Sequence, residues 1–250
     1  MKTEVANQKP KLKFPTETID LPSKGFLYPE GNPLSSGTVE MKYMTAREED
    51  ILSNQNFIKK GIVLDKLLQS LIVSDIDYND LLIGDKNALL IASRILGYGK
   101  DYSFKSDGEE YTVDLTELEH KYVDFDKIVK GKNEFFYTLP NSKTEISFRY
   151  LTQGDEKKID REIAGLKKVN NSVSYDLTTR LKYIILSVDG SYETKDVRDF
   201  VDNFLLASDS RALRTEIKHN QPDVDMTFFS PEGDEPIDVT IDLSFFWPDY

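Results

Sequence analysis

The 250-residue sequence contains no cysteine, only two histidines and a single tryptophan. Without cysteine the chain forms no disulfide and offers no thiolate to a metal, which excludes the common cysteine-rich zinc sites. No apolar run approaches the roughly 18 residues that a transmembrane helix needs. We therefore expect no membrane span, and the lack of cysteine fits a cytosolic compartment.

The residues that often carry catalysis are scarce or poorly placed. His120 and His219 each stand among charged residues, where solvent exposure is commoner than catalysis or metal ligation. The motifs of zinc metalloproteases, nucleophile-elbow hydrolases and P-loop proteins are missing. Gly97 and Gly99 follow a predicted helix, whereas a dinucleotide-binding loop follows a strand. We predict no enzymatic activity, no catalytic residue, no metal and no cofactor.

Positive charge is also in deficit, since 44 acidic residues outnumber 32 basic ones and give a net charge of −12. A surface of that sign repels phosphate backbones, so nucleic acid is not an expected partner. Hydrophobic residues make up 39% of the chain, which is typical of a globular protein with an ordinary core. The composition thus favours a globular protein whose main partner is not nucleic acid.

What is present begins with a strand that runs into a capped helix. Val39, Met41 and Tyr43 alternate with polar residues, the period-two pattern of a half-buried strand. Thr45 and Glu48 then form a T-x-x-E capping box, in which the glutamate reaches back to the helix start. A strand followed at once by a helix is therefore predicted here.

Two further helices and a hairpin complete this part of the chain. Residues 62–73 place their leucines on one face, as an amphipathic helix does. Asp85 is the predicted N-cap of the next helix, and Gly97 is its predicted stop. The segment after it predicts a hairpin that turns at Asp107 and Gly108.

The second half of the chain shows the same order of signals. A strand leads into a T-x-x-D cap at Thr152 and Asp155, and residues 175–190 predict a long amphipathic helix. Further helices are expected from Thr194 and from near Asp209, and a last hairpin closes the chain. Its "FFSPEGDE…VTIDL" echoes "FKSDGEE…TVDL" of the first half.

This repeated order predicts an α+β fold of two related halves, each with a strand, a small helix group and a β-hairpin. A degenerate tandem duplication explains it, and chance similarity between capped helices is the alternative. The predicted organisation is a flexible N-terminal arm (1–20), an ordered loop (21–38), a first half (39–125), a connector (126–145) and a second half with an aromatic tail (146–250).

Two groups of aromatic residues are the candidates for binding a partner. Phe26 and Tyr28 lie in a loop rich in proline and glycine, whereas Phe245, Phe246 and Trp247 lie near the end of the sequence. Successive side chains of a strand alternate, so we expect one tail ring in the core of the second half and its neighbour on a surface. Two interpretations stay open: the rings clamp the tail to the chain's own helices, or they anchor a partner.

Several segments in order resemble one protein family. These are "LPSKGFLYP" (21–29), "MTAREEDIL" (44–52), "DLLIGDKNALLIASRILGYGKDY" (80–102) and, after "DSRALRTEI" (209–217), the closing "FFWPD" (245–249). Together they resemble the baseplate hub and assembly proteins of T4-like phages over most of the chain. Family members often carry paired cysteines at the two hairpins. This sequence has none, so the resemblance implies no zinc here.

The resemblance implies a non-enzymatic role in phage tail morphogenesis, as a baseplate hub component or hub-assembly factor. The implied partners are other phage tail or baseplate proteins, met in the host cytoplasm during assembly or within the baseplate of the virion. One alternative is a transient chaperone for the tape measure or another tail protein, absent from the mature virion. A tail-associated hydrolase is the third. A fixed copy number in purified tails separates the first role from the second.

Overall fold

The computed structural model describes residues 15–106, 109–121, 123–169, 174–229, 236–239 and 241–246. Along these residues the strands are β1 (Thr16–Asp20), β2 (Thr38–Lys42), β3 (Asp101–Ser106), β4 (Glu109–Asp114), β5 (Phe135–Thr138), β6 (Glu145–Phe148), β7 (Ile185–Val188), β8 (Thr227–Phe229) and β9 (Pro236–Asp238). The helices are α1 (Ala46–Leu52), α2 (Gln55–Lys59), α3 (Val63–Leu71), α4 (Ile83–Tyr98), α5 (Gln153–Val169), α6 (Asp176–Ile184), α7 (Thr194–Asn203) and α8 (Ala207–Asn220). Small antiparallel sheets beside separate helices confirm the predicted α+β class.

The first sheet begins earlier than the sequence suggested. β1 pairs antiparallel with β2, with Ile19 opposite Val39. Val39 and Met41 are fully buried, so one face of β2 lies in the core. Pairing with β1 satisfies the backbone groups along one edge of β2. The flexible arm predicted over residues 1–20 is therefore wrong for residues 16–20, which form β1, and residues 1–14 lie outside the described part of the chain.

The capping box predicted at the start of α1 is confirmed. The backbone N–H and the hydroxyl of Thr45 both donate to one carboxylate oxygen of Glu48, over 3.0 and 2.6 Å. Lys42 Nζ donates to the other oxygen over 2.9 Å. Burial alone would raise the pKa of Glu48, but these hydrogen bonds lower it, so the carboxylate stays ionised and holds the helix start.

The start of α4 differs from the prediction. Leu82 occupies the N-cap position, and Asp85 lies inside the first turn with its side chain fully buried. Its carboxylate is used by the loop after β1: the backbone N–H of Ser23 donates to Oδ1 over 2.9 Å, and the Ser23 hydroxyl donates to Oδ2 over 2.7 Å. Asp85 thus joins two distant segments instead of capping its own helix.

Both predicted hairpins are confirmed as antiparallel pairs. β3 and β4 pair up to Ser106 opposite Glu109, so the two residues predicted to turn, Asp107 and Gly108, stand between the strands and lie outside the described residues. β8 pairs with β9 in the same way. The two hairpins lie against each other, since the ring centroids of Phe104 and Phe228 are 5.9 Å apart.

The second sheet contains β5, β6 and β7 in that order. β5 lies within the predicted connector 126–145, so this stretch contributes a strand rather than only a link. The helix predicted over 175–190 is wrong in its second half, because α6 ends at Ile184 and β7 follows directly. Ile185 and Ser187 are buried where β7 pairs with β6, and that alternation holds the segment extended.

One hydrophobic cluster runs through both halves of the chain. At the junction, the carbonyl oxygen of Pro222 comes so close to Gly84 that a Cβ there would lie 1.8 Å from it. Gln153 at the start of α5 donates its backbone N–H to Leu81 O over 2.8 Å. The halves therefore share a hydrophobic core and are joined by a backbone hydrogen bond between Gln153 and Leu81, so they pack as one unit.

The tail packs against the first half, which overturns the expectation that one of its rings fills the core of the second. Residues Ser244–Phe246 form a short 3₁₀ turn instead of a strand, so adjacent rings need not point to opposite faces. Phe245 and Phe246 are both fully buried, edge to face at 5.5 Å. Phe245 also lies 4.8 Å from Tyr102 on β3, and Arg94 Nε donates to its carbonyl over 3.0 Å.

A second buried aspartate repeats the arrangement at Asp85. Asp209 lies in the first turn of α8, and its carboxylate accepts hydrogen bonds from the backbone of Asn141 and Ser142 in the β5–β6 loop. That loop and the loop after β1 both begin Leu-Pro and hold a lysine in left-handed backbone, Lys24 at φ 50° and Lys143 at φ 62°. The match agrees with a duplicated unit, whose common origin stays a prediction.

Candidate docking surface at the edge of the second sheet

Three apolar side chains stand exposed around β5. Phe136 is 77% exposed, Val129 62% and Tyr192 58%. Scattered surface residues of this kind are normal, but a cluster beside a hollow marks a site of interaction. The surface around β5 is therefore the best candidate for the functional site.

β5 is an edge strand, because β6 lies on one side of it and no described strand lies on the other. The N–H of Leu139 donates to Thr144 O over 3.0 Å, which fixes which residues of β5 point towards β6. In an antiparallel pair this direction alternates along the strand. The backbone N–H and C=O groups of Phe135 and Tyr137 therefore bond to β6. Those of Phe136 and Thr138 point out of the sheet.

The larger of two hollows beside this edge, here called the large groove, has a volume of about 610 Å³. Its floor is aromatic: the Phe135 ring lies 5.5 Å from that of Phe148 and 4.7 Å from that of Tyr150. The lining residues are Val123, Asp124, Ile128, Val129, Lys132, Glu134, Phe135, Phe136, Phe148, Tyr150, Tyr192, Glu216 and Asn220. An apolar floor with a charged rim suits an amphipathic chain segment.

A second hollow, here called the small groove, has a volume of about 310 Å³ and lies nearer the C-terminal end of β5. Tyr137 and Ile146 line it from one face of the sheet, and Thr138, Glu145 and Ser187 line it from the other. Phe136 and Tyr192 line both grooves. The edge of β5 thus runs beside two hollows, one towards each end of the strand.

The charge of the two grooves is mainly negative. Asp124, Glu134 and Glu216 line the large groove together with one basic residue, Lys132, and Glu145 lines the small groove. Burial raises the pKa of Tyr150, and the nearby Glu216 carboxylate raises it further, so the phenol stays neutral at physiological pH. The site therefore favours cationic groups near its rim.

Three of the candidate partner-binding residues are in the interior. Tyr28 is 4% exposed, and its hydroxyl donates to Asp85 Oδ2 over 2.6 Å while it accepts the N–H of Leu82 over 3.0 Å. Burial and the neighbouring Asp85 raise the pKa of this phenol. Phe245 and Phe246 are fully buried. None of the three offers a ring to a partner, because each is used to fix the fold.

Phe26 lies closer to the new surface. Its ring is half-buried and stands 5.1 Å from that of Phe125, while Lys130 Nζ lies 5.5 Å from its centroid. The N–H of Gly131 donates to the Phe26 carbonyl over 2.7 Å. Phe26 therefore supports the segment that carries Val129 into the large groove. The fifth candidate, Trp247, lies outside the described residues.

β5 was not predicted from the sequence, and neither were Phe135 and Phe136 as candidate site residues. A usable signal was present, since "FFYT" is rich in strand-forming aromatics and is followed by the turn formers "LPNS". Sequence alone does not tell which of two adjacent phenylalanines stays exposed. That depends on which face of the strand the rest of the fold covers.

Within the described ranges, no three histidine, aspartate or glutamate side chains are grouped as a metal site requires. No helix in that part of the chain is both long and apolar enough to cross a membrane. A scan of family models and searches of curated proteins and of solved structures find no match to this chain.

Proposed function

We propose that this chain is a non-enzymatic phage tail morphogenesis protein, a baseplate hub component or hub-assembly factor that binds other tail proteins. The observation that carries the binding role is the exposed Phe136 on the open edge of β5, between two grooves. The phage assignment rests on the resemblance of segments 21–29 and 80–102 to the T4-like baseplate family. Under this proposal the protein works in the host cytoplasm while tails assemble.

The surface has what a binding site needs. Covering an exposed phenylalanine contributes ~1.5–3 kcal/mol, and a row of unpaired backbone groups adds directional hydrogen bonds. The platform is also rigid, because Phe135 is stacked on Phe148 and packs against Tyr150, and the loop after β5 is tied to Asp209. A partner therefore meets a preformed surface and loses little entropy in ordering it.

The test is genetic and compositional. In the phage whose genome encodes this chain, deleting its gene should abolish assembled tails, and supplying the protein from a plasmid should restore them. Mass spectrometry of purified tails then assigns the role. A fixed copy number identifies a hub component, and absence from finished tails identifies an assembly factor. Normal tails in the deletion strain would contradict the proposal.

A further inference from the structure

We propose that β5 accepts an extended segment of a partner protein as an added strand, with apolar side chains alternating with basic ones. The inference rests on the proposed function in one respect, that the surface around β5 binds protein. It goes further by naming the chemistry of the partner segment and the backbone groups that hold it.

The backbone of β5 offers hydrogen-bonding groups to an added strand. Phe136 and Thr138 direct their N–H and C=O groups away from β6, as the Leu139–Thr144 hydrogen bond requires. These groups form a short ladder of two donors and two acceptors. An extended chain beside them satisfies all four, which is the usual way in which an exposed sheet edge recruits a peptide.

The side chains around β5 match a segment in which apolar and basic residues alternate. A strand added beside β5 directs alternate side chains to opposite faces. One set enters the large groove, where Phe135, Phe148 and Tyr150 form an aromatic floor. The other set lies on the face that carries the paired residues Thr138 and Glu145, and Glu145 is charged. Apolar residues at every second position and basic residues between them match the two faces.

Charge decides between a foreign segment and a second copy of this chain. The two grooves hold four carboxylates and one lysine, and the whole chain carries a net charge of −12. Pairing β5 with β5 of another copy would bring two negatively charged surfaces together, and like charges oppose such a contact. A basic partner segment has the opposite effect, so the edge selects against self-association.

The probe is a synthetic, fluorescently labelled heptapeptide with the sequence KVKFKVK, titrated with the full-length protein. We expect saturable binding that weakens as salt is added, because the basic residues contribute through their charge. Phe136→Ser should weaken binding at least about tenfold, the effect typical of a central aromatic anchor. The matched control is Phe204→Ser, which removes another phenylalanine that is 63% exposed and lines neither groove; it should leave affinity unchanged.

Amide hydrogen exchange separates strand addition from simple docking of side chains. Addition of KVKFKVK should slow exchange at the amides of Phe136 and Thr138, the two that point out of the sheet. No binding, equal weakening by both variants, or equal affinity for EVEFEVE would overturn the proposal. Unchanged exchange at both amides would do the same.

Two other results would assign the edge to this chain itself and so overturn the proposal. One is a dimer that Phe136→Ser dissociates in analytical ultracentrifugation. The other is a marked gain in probe affinity after removal of residues 1–14. The probe assay involves no tails, so its failure is distinguishable from failure of the proposed function. If the protein binds the probe but tails assemble without it, only the proposed function is contradicted.

Discussion

The hydroxyl of Ser23 donates a 2.7 Å hydrogen bond to the buried carboxylate of Asp85, which ties the loop after β1 to the first turn of α4. Tyr28 from the same loop donates to the same oxygen. Asp209 holds the β5–β6 loop through Asn141 and Ser142 in a comparable way. Each half of the chain thus uses one buried aspartate in the first turn of a helix to hold a loop between two strands, β1–β2 in the first half and β5–β6 in the second.

We predict that Asp209→Asn loses its destabilising effect in acid. Burial alone would raise the pKa of Asp209, but the hydrogen bonds from Asn141 and Ser142 lower it from 3.8 to about 2. A lowered pKa stabilises the fold above the ordinary pKa, and this contribution disappears as pH falls towards 2. The variant should lose about 1–3 kcal/mol of unfolding free energy at neutral pH. Urea titrations between pH 7 and pH 2 measure the gap, and a gap that stays constant with pH would contradict this reading.

Asp85→Asn should show the opposite trend with pH. Burial raises the pKa of Asp85 above 3.8, in spite of hydrogen bonds from Ser23 and Tyr28 that lower it. The folded wild type therefore takes up a proton before the unfolded chain does, and its stability relative to the variant rises as pH falls from neutral. The same urea titrations test this, with Asp209→Asn as the matched comparison. Parallel trends in the two variants would contradict the assignment.

Gly84→Ala should destabilise the junction between the halves. Its Cβ would lie 1.8 Å from the carbonyl oxygen of Pro222, so backbone must move, at a cost of about 1–3 kcal/mol or more. The control is Gly165→Ala in α5, where nothing lies within 4 Å of the added carbon. It should stabilise the protein by about 0.5–1 kcal/mol, because alanine favours a helix over glycine. Thermal melts compare the two, and a neutral Gly84→Ala would show that the close approach is absent.

Phe245→Ala and Phe246→Ala should each destabilise the protein by about 3–5 kcal/mol, the usual effect of emptying a buried aromatic site. Both rings are fully buried, and Phe245 lies against Tyr102. Phe204→Ala, at a side chain that is 63% exposed, should change stability by less than about 0.5 kcal/mol. Chemical denaturation provides the numbers. If Phe245→Ala has the same stability as the wild type, the aromatic residues 245–247 would again be candidates for binding a partner.

Local features of the fold were predictable from the sequence. The Thr45–Glu48 box, the amphipathic face of α3 and both later hairpins depend on residues close together in the chain, whose patterns are visible directly. The helix predicted over 175–190 was wrong in its second half because "IILSV" is a short apolar run, which fits a buried helix and a strand equally. Pairing with β6 decides the outcome, and the partner is far away in sequence.

The candidate site was less predictable for the same reason. An aspartate at a helix start usually caps it, and only the contact with Ser23, 62 positions away, shows that Asp85 serves another loop. The tail aromatics looked available because nothing local revealed Tyr102 as their neighbour. Phe136 could not be distinguished from Phe135, since the difference in exposure depends on which face of β5 packs against Phe148 and Tyr150.

The role of Phe136 in tail assembly is measured by counting assembled tails by electron microscopy in cells that produce Phe136→Ser in place of the wild-type protein. Phe204→Ser is the matched control, and thermal melts of both purified variants confirm that each folds. We predict that Phe136→Ser melts within a few degrees of the wild type and still lowers the number of tails at least about tenfold, whereas Phe204→Ser leaves it unchanged. A normal number of tails with Phe136→Ser would contradict the account.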